Sequence, residues 1–329
     1  MRVLYLCSPS SDYLQDIVFG GLVKTLGIRN VKVIPFCKGY AFNYKKYPKN
    51  LGYSAAYMPG VVYHSFSRKD FDCVIVASAK KEAFKTYLTI IDQIDEGCPV
   101  VFLDGGDVAT IGGDLQRHGC YELFEEACSR REFDLIFKRE MLIGEQYAKN
   151  VLPCPFAFNL DVLKSIPAVN KKYDVSFWAV ESHPIRTQAL TLLQDLYDCR
   201  ENGTVLNQKF SNYSRRGLEY LKELKRCKVV LNFRGGGWDT LRFWETMALS
   251  TFMISQKPQI VIPDDFTDGE NIVYCGDDLS DLQDKITYYL ENDREREEIA
   301  ANSYQHLATY HSDVARGNFI LKAILDLKT

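Results

Sequence analysis

The sequence has no Cys-x-x-Cys pair, and only five histidines accompany its ten cysteines. Cys7, Cys37, Cys73, Cys98, Cys120, Cys128, Cys154, Cys199, Cys227 and Cys275 stand apart, mostly inside or beside apolar runs. That scatter argues against a disulfide framework, and buried reduced thiols are expected. His64, His118, His183, His306 and His311 do not supply the close spacing of a zinc site, so no structural metal is expected. No run approaches the roughly 20 apolar residues of a membrane span. The opening Met-Arg-Val-Leu-Tyr-Leu-Cys reads as a first strand and not as a signal peptide, which predicts a cytoplasmic protein without a transmembrane segment. Charge of one sign is also lacking. With 40 Lys and Arg against 43 Asp and Glu, the net charge of -3 gives no global attraction to nucleic acid or anionic membrane. A Gly-x-Gly-x-x-Gly turn after a strand, a Gly-x-x-x-x-Gly-Lys-Ser/Thr loop and a Gly-x-Ser-x-Gly elbow are missing, so dehydrogenase, nucleotide hydrolase and serine hydrolase readings lose support. No internal repeat, low-complexity tract or heptad run is evident.

What is present fits a globular chain with a sizeable core: 46% of the 329 residues are hydrophobic, a length suited to two domains of roughly 150 residues. Short apolar runs alternate with longer amphipathic segments, the pattern of βαβ units on a parallel sheet. Strands are predicted in the first half at residues 3–7, 31–36, 73–77, 100–103, 135–137 and 151–154, with helices after Asp12 and over 80–94. The Tyr-, Lys- and Gly-rich segment 38–69 reads as a long loop or insertion. Its rings Tyr40, Phe42, Tyr44, Tyr47, Tyr53 and Tyr57 suit either stacking on sugars or packing under a loop. Pro153, Pro155 and Pro167, followed by Asn170-Lys171-Lys172, mark a boundary. The pattern then restarts, with strands at 173–179, 228–233, 252–255 and 271–274, helices at 183–197, 215–226 and 240–249, and a helical remainder from Leu279. The domains are expected at 1–160 and 161–329.

The most informative segment runs from Leu231 to Ala248, where a strand enters Arg234-Gly235-Gly236-Gly237-Trp238-Asp239-Thr240 and then a helix. Exposed backbone N–H groups and the positive helix end in such a turn bind phosphate. Arg242 and Glu245, three apart, share a face near the first turns. A guanidinium there neutralises a diphosphate, and a carboxylate accepts from ribose hydroxyls. A tight turn with a surface ion pair would leave the same sequence trace.

The series Arg242-Phe243-Trp244-Glu245-Thr246-Met247-Ala248, then Phe266-Thr267-Asp268-Gly269-Glu270-Asn271, Asp278-Leu279, Ile286, Tyr289-Leu290, Arg294 to Ile299 and His311, resembles the glycosyltransferase group 1 C-terminal domain, particularly its spore-maturation-type branch. The resemblance covers roughly residues 173–320, with an echo in Asp134 to Glu140. It implies a GT-B fold, α/β throughout: two Rossmann-like domains with parallel sheets facing across a cleft, and C-terminal helices. It implies diphosphate contact for Arg242 and ribose contact for Glu245, with Arg186, Arg234, Gly236, Asp239 and Thr240 as further donor-binding candidates. Related retaining enzymes carry another glutamate eight positions earlier, where this chain has Gly237; the stereochemical outcome stays open.

Arg186 follows Glu181-Ser182-His183-Pro184 at a predicted helix start and also suits simple capping. Asp104 and Asp107, in Asp-Gly-Gly-Asp at a strand end, are the candidate catalytic bases for an acceptor hydroxyl, with turn chemistry as the other explanation and His118 as a weaker base. The reaction expected is sugar transfer from a nucleoside diphosphate sugar, as co-substrate and without metal or other cofactor. The acceptor is left open among glycan, lipid, protein, small metabolite and modified nucleic acid. A sugar-nucleotide epimerase and a non-catalytic sugar-nucleotide-binding protein are the alternatives.

Overall fold

The computed structural model describes residues 1–10, 12–37, 40, 71–176, 181–193, 196–197 and 217–327. They fall into two compact units, one within Met1–Asn159, Val261–Pro263 and Ser312–Thr329, the other within Leu160–Ile260 and Asp264–His311.

The first unit is built on a parallel sheet of β1 (Val3–Leu6), β2 (Val31–Ile34), β3 (Cys73–Val76), β4 (Val100–Asp104), β5 (Leu135–Lys138) and β6 (Val151–Pro153), in the order β2-β1-β3-β4-β5-β6. Every residue of β1, β3, β4 and β5 is buried, which is why these strands read as continuous apolar runs and not as alternations. Helix α1 (Tyr13–Leu26) starts where the Asp12 carboxylate accepts the Gln15 N–H at 3.2 Å, and stops at Gly27, whose φ of 81° takes the chain out of the helix. The helix expected over 80–94 resolves into α2 (Lys81–Ile90) and a tighter turn, Ile91–Gln93. Two helices that sequence periodicity does not pick out follow, α3 (Gly113–Arg117) and α4 (Glu122–Arg130).

The second unit carries a parallel sheet in the order β10-β9-β8-β7, from β7 (Tyr173–Ser176), β8 (Cys227–Asn232), β9 (Phe252–Gln256) and β10 (Val273–Cys275). Its helices are α5 (Pro184–Leu193), α6 (Leu218–Lys225), α7 (Leu241–Ala248), α8 (Leu282–Glu291) and α9 (Asp293–Tyr310). Val175, Val229, Leu231, Ile254 and Val273 of the strands close a core with Ile185, Leu190, Leu282 and Ile286 of the helices.

The final helix, α10 (Asp313–Asp326), departs from the expected division, which kept residues 161–329 together. It packs on α1 in the first unit. The reason is a crossing of two glycines: a Cβ on Gly21 would stand 2.0 Å from the Asp313 carbonyl oxygen, and one on Gly317 2.7 Å from the Gly21 carbonyl carbon. The Lys24 ammonium binds the Asp313 carboxylate at 2.7 Å, and the Asp313 N–H donates to the Phe158 carbonyl at 3.0 Å.

Of the aromatic insertion, Tyr40 is described and the other rings lie outside the described residues. Tyr40 is a core residue, stacked on Phe19 at 3.9 Å with its hydroxyl donating to Asp16 at 2.5 Å, so it does not offer its face to a sugar. Nine of the cysteines are described, none in a disulfide and all but Cys128 buried; Cys199 lies outside the described residues.

Candidate functional site

The glycine-rich turn at the end of β8 is fixed from its base. The Asn232 carboxamide accepts from the Thr240 hydroxyl at 2.7 Å and donates to the Ser255 hydroxyl at 3.0 Å, tying β8, β9 and the start of α7 together. The Gly235 N–H then donates to the Gly237 carbonyl at 2.9 Å, closing the turn. A Cβ on Gly235 would meet the Arg186 guanidinium at 2.9 Å, so a side chain there requires that arginine to shift.

Arg186 is therefore not the outward phosphate contact expected of it. Buried to 6% exposure, it donates to the carbonyls of Arg234 (2.8 Å) and Phe233 (2.9 Å) and to the Ser182 hydroxyl (3.0 Å). The guanidinium is a strut under the loop, holding the end of β8 in place. Asp239 also has a structural partner, accepting the Trp244 indole N–H at 2.7 Å. Trp244, wholly buried, packs on Phe243, Phe266 and His311, which seats α7.

Above the strut stand the remaining candidates. The Thr240 side chain is turned to Asn232 and makes no cap hydrogen bond, so the first-turn N–H groups of α7 carry their partial positive charge without a side-chain cap. Gly236 is exposed at the tip of the turn. Arg242 and Glu245 are 8% and 3% exposed, which removes the surface ion pair as their explanation. The Glu245 carboxylate accepts the Tyr220 hydroxyl at 2.9 Å. Arg234 lies over the Trp238 ring, its guanidinium carbon 4.1 Å from the ring centroid.

His183 borders this cationic group. Burial, then Arg234 and Arg186, holds its imidazole below the ordinary pKa, and Nδ1 accepts the Ile185 N–H at 3.3 Å, which leaves the ring proton on Nε2. An open depression of about 530 Å³ lies alongside, lined by Glu181, Ser182, His183, Pro184, Thr187 and Gln188.

In the first unit the two expected bases part company. Asp104 has no exposed surface; its carboxylate accepts from the Lys138 ammonium at 2.9 Å and the Gly112 N–H at 2.8 Å. Lys138 is equally buried, donating also to the carbonyls of Val108 and Thr110. Asp104 thus neutralises a buried lysine and cannot meet an acceptor hydroxyl. Asp107 keeps 40% of its side chain exposed and binds Arg139. His118 is exposed on the surface.

Asn232, Ser182, Tyr220 and Trp238 were not singled out by sequence reasoning. The contacts of the first three cross 8, 4 and 25 residues without any motif. Trp238, immediately after three glycines, was the visible signal.

Two parallel α/β units, the second with a glycine turn leading into a helix that buries an arginine and a glutamate, have the fold of the GT-B glycosyltransferases. An alpha-glucosyltransferase solved with UDP and a 13-mer DNA superimposes with a TM-score of 0.62 at 11% identity, over 99% of this chain and 100% of that one. Anabaena HepE in complex with UDP-glucose gives 0.56 at 12%, over 99% and 100%. Sucrose-phosphate synthase from Thermosynechococcus elongatus gives 0.56 at 12%, over 99% of each chain. Residues 191–322 match the family described as glycosyl transferase-like. The match is to the broad family and does not single out a spore-maturation branch. No curated protein matches the chain in sequence.

Proposed function

We propose that the protein transfers a sugar from a nucleoside diphosphate sugar to an acceptor hydroxyl, and that the donor binds over the Gly235–Gly237 turn. The observation carrying this reading is the junction of β8 and α7. There an uncapped helix start follows the glycine turn, Arg234 stands at the turn with its guanidinium over Trp238, and Arg242 lies buried in the first turn of α7. In the transfer the bond from the sugar C1 to the phosphate oxygen breaks, the acceptor oxygen bonds to C1, and the diphosphate leaves with added negative charge. Arg234, Arg242 and the helix N–H groups stabilise that charge, which removes the need for a metal in the scheme. Glu245, kept in place by Tyr220, accepts from the ribose. Asp107 is the acceptor-side carboxylate that takes the hydroxyl proton.

Several solved proteins of this fold hold UDP or UDP-glucose, so uridine donors are the first to test. Calorimetry against UDP, GDP, TDP and CMP sugars, with EDTA present, is expected to find one donor whose affinity falls at least tenfold in Glu245→Gln. Glutamine preserves the Tyr220 contact and so separates binding from folding. Binding of no sugar nucleotide sinks the reading, and binding that needs added metal sinks the metal-free scheme.

A further inference from the structure

We propose that Trp238 is a positioning residue: its indole face holds the Arg234 guanidinium in the orientation that meets the donor diphosphate. This rests on the sugar-nucleotide reading above.

Arg234 and Trp238 are separated by three glycines, and the closed turn between Gly235 and Gly237 brings the two side chains face to face. A guanidinium carbon 4.1 Å from an indole centroid is well inside the range where the ring quadrupole attracts a cation. The Arg234 backbone is pinned on both sides, its N–H donating to the Gln256 carboxamide at 3.3 Å and its carbonyl accepting from Arg186 at 2.8 Å. Gln256 is itself anchored by donating to Asp277 at 2.8 Å. The freedom left to Arg234 is therefore in its side-chain torsions, and the ring is the group seen to restrain them. Its Nε is buried and meets no acceptor among the described residues, so a hydrogen bond from Nε does not fix the head group. A planar cation held by its face keeps its N–H groups in the plane, where they match two oxygens of a phosphate. The neighbouring cation, Arg186, has donors turned down to the carbonyls of Phe233 and Arg234, and does not duplicate this task.

The test uses the full chain with UDP, inorganic pyrophosphate and uridine, read by calorimetry and, for weak uridine binding, by ligand-detected NMR. Trp238→Leu is expected to weaken UDP and pyrophosphate by about two- to thirtyfold, the span of a lost cation–π contact, and to leave uridine unchanged. Trp238→Phe retains a ring face and is expected to restore most of the affinity, which a folding defect in the leucine variant would not predict. Trp238→Leu combined with Arg234→Ala is expected to bind UDP no more weakly than Arg234→Ala alone, because the indole acts through the arginine. Additive losses, or a fall in uridine affinity showing that the ring stacks on the base, overturn the proposal, as does wild-type affinity in Trp238→Leu. If the wild type binds pyrophosphate but no nucleoside diphosphate, the donor reading fails while the Arg234–Trp238 clasp stands. If it binds neither, both fail.

Discussion

At the scale of single residues, the environment of a charged group decides its role more than its neighbours in sequence do. Asp104 and Asp107 occupy equivalent-looking places in Asp-Gly-Gly-Asp, yet one is enclosed with Lys138 and the other reaches solvent. Removing one member of a buried pair leaves the other charge uncompensated, so Asp104→Asn is expected to cost about 3–5 kcal/mol in urea unfolding. Asp107→Asn should change stability little and slow transfer. An Asp104→Asn enzyme of normal stability but without activity would restore Asp104 as a base. His183 gives a second prediction. Its pKa is held below 6.5 by burial and by Arg234 and Arg186, so the unfolded chain takes up a proton before the folded one does. Its contribution to stability therefore falls as pH drops from 6.5 toward the folded midpoint, and recovers as pH rises. An NMR titration should find that midpoint below 6.5, moving upward in Arg234→Ala. An unmoved midpoint would show that Arg234 does not face the ring.

At the scale of elements, the fully buried strands were legible because a strand covered on both faces is apolar along most of its length, with only the Asp104–Lys138 pair closing β4 and β5. The β8–turn–α7 junction was legible too, its glycines and helix start being local. What local pattern could not carry was pairing over distance: Arg186 with the carbonyls 47 and 48 residues on, or Asp104 with Lys138, 34 residues on. The α1–α10 crossing is the clearest case. Gly20 and Gly21 stand inside α1, where alanine is normally preferred over glycine by about 1 kcal/mol. Against α10 the sign inverts. With 2.0 Å from an added Cβ to the Asp313 carbonyl oxygen, Gly21→Ala is expected to destabilise by about 1–3 kcal/mol despite its better propensity. A thermal unfolding midpoint unchanged or raised in Gly21→Ala would refute the close crossing.

At the scale of the whole molecule, the sequence order of the chain and its spatial division disagree. The first unit is made of three stretches of chain with the two stretches of the second between them, and α10 belongs with α1. Deleting residues from Ser312 onward should thus strip protection from α1, as measured by hydrogen exchange, while β7 to β10 keep theirs. Loss of protection in β7 to β10 instead would place α10 with the second unit. Phe158 and Ser312, the points of departure and return, are bridged side by side, with the Asp313 N–H on the Phe158 carbonyl at 3.0 Å. In a mechanical experiment with handles at Arg2 and Asp326, the load would fall on the first unit and on the seam between α1 and α10. The loop that carries the glycine turn would sit behind that bridge and feel no tension until it parted, so a tug on the ends would spoil the carrier before the cargo.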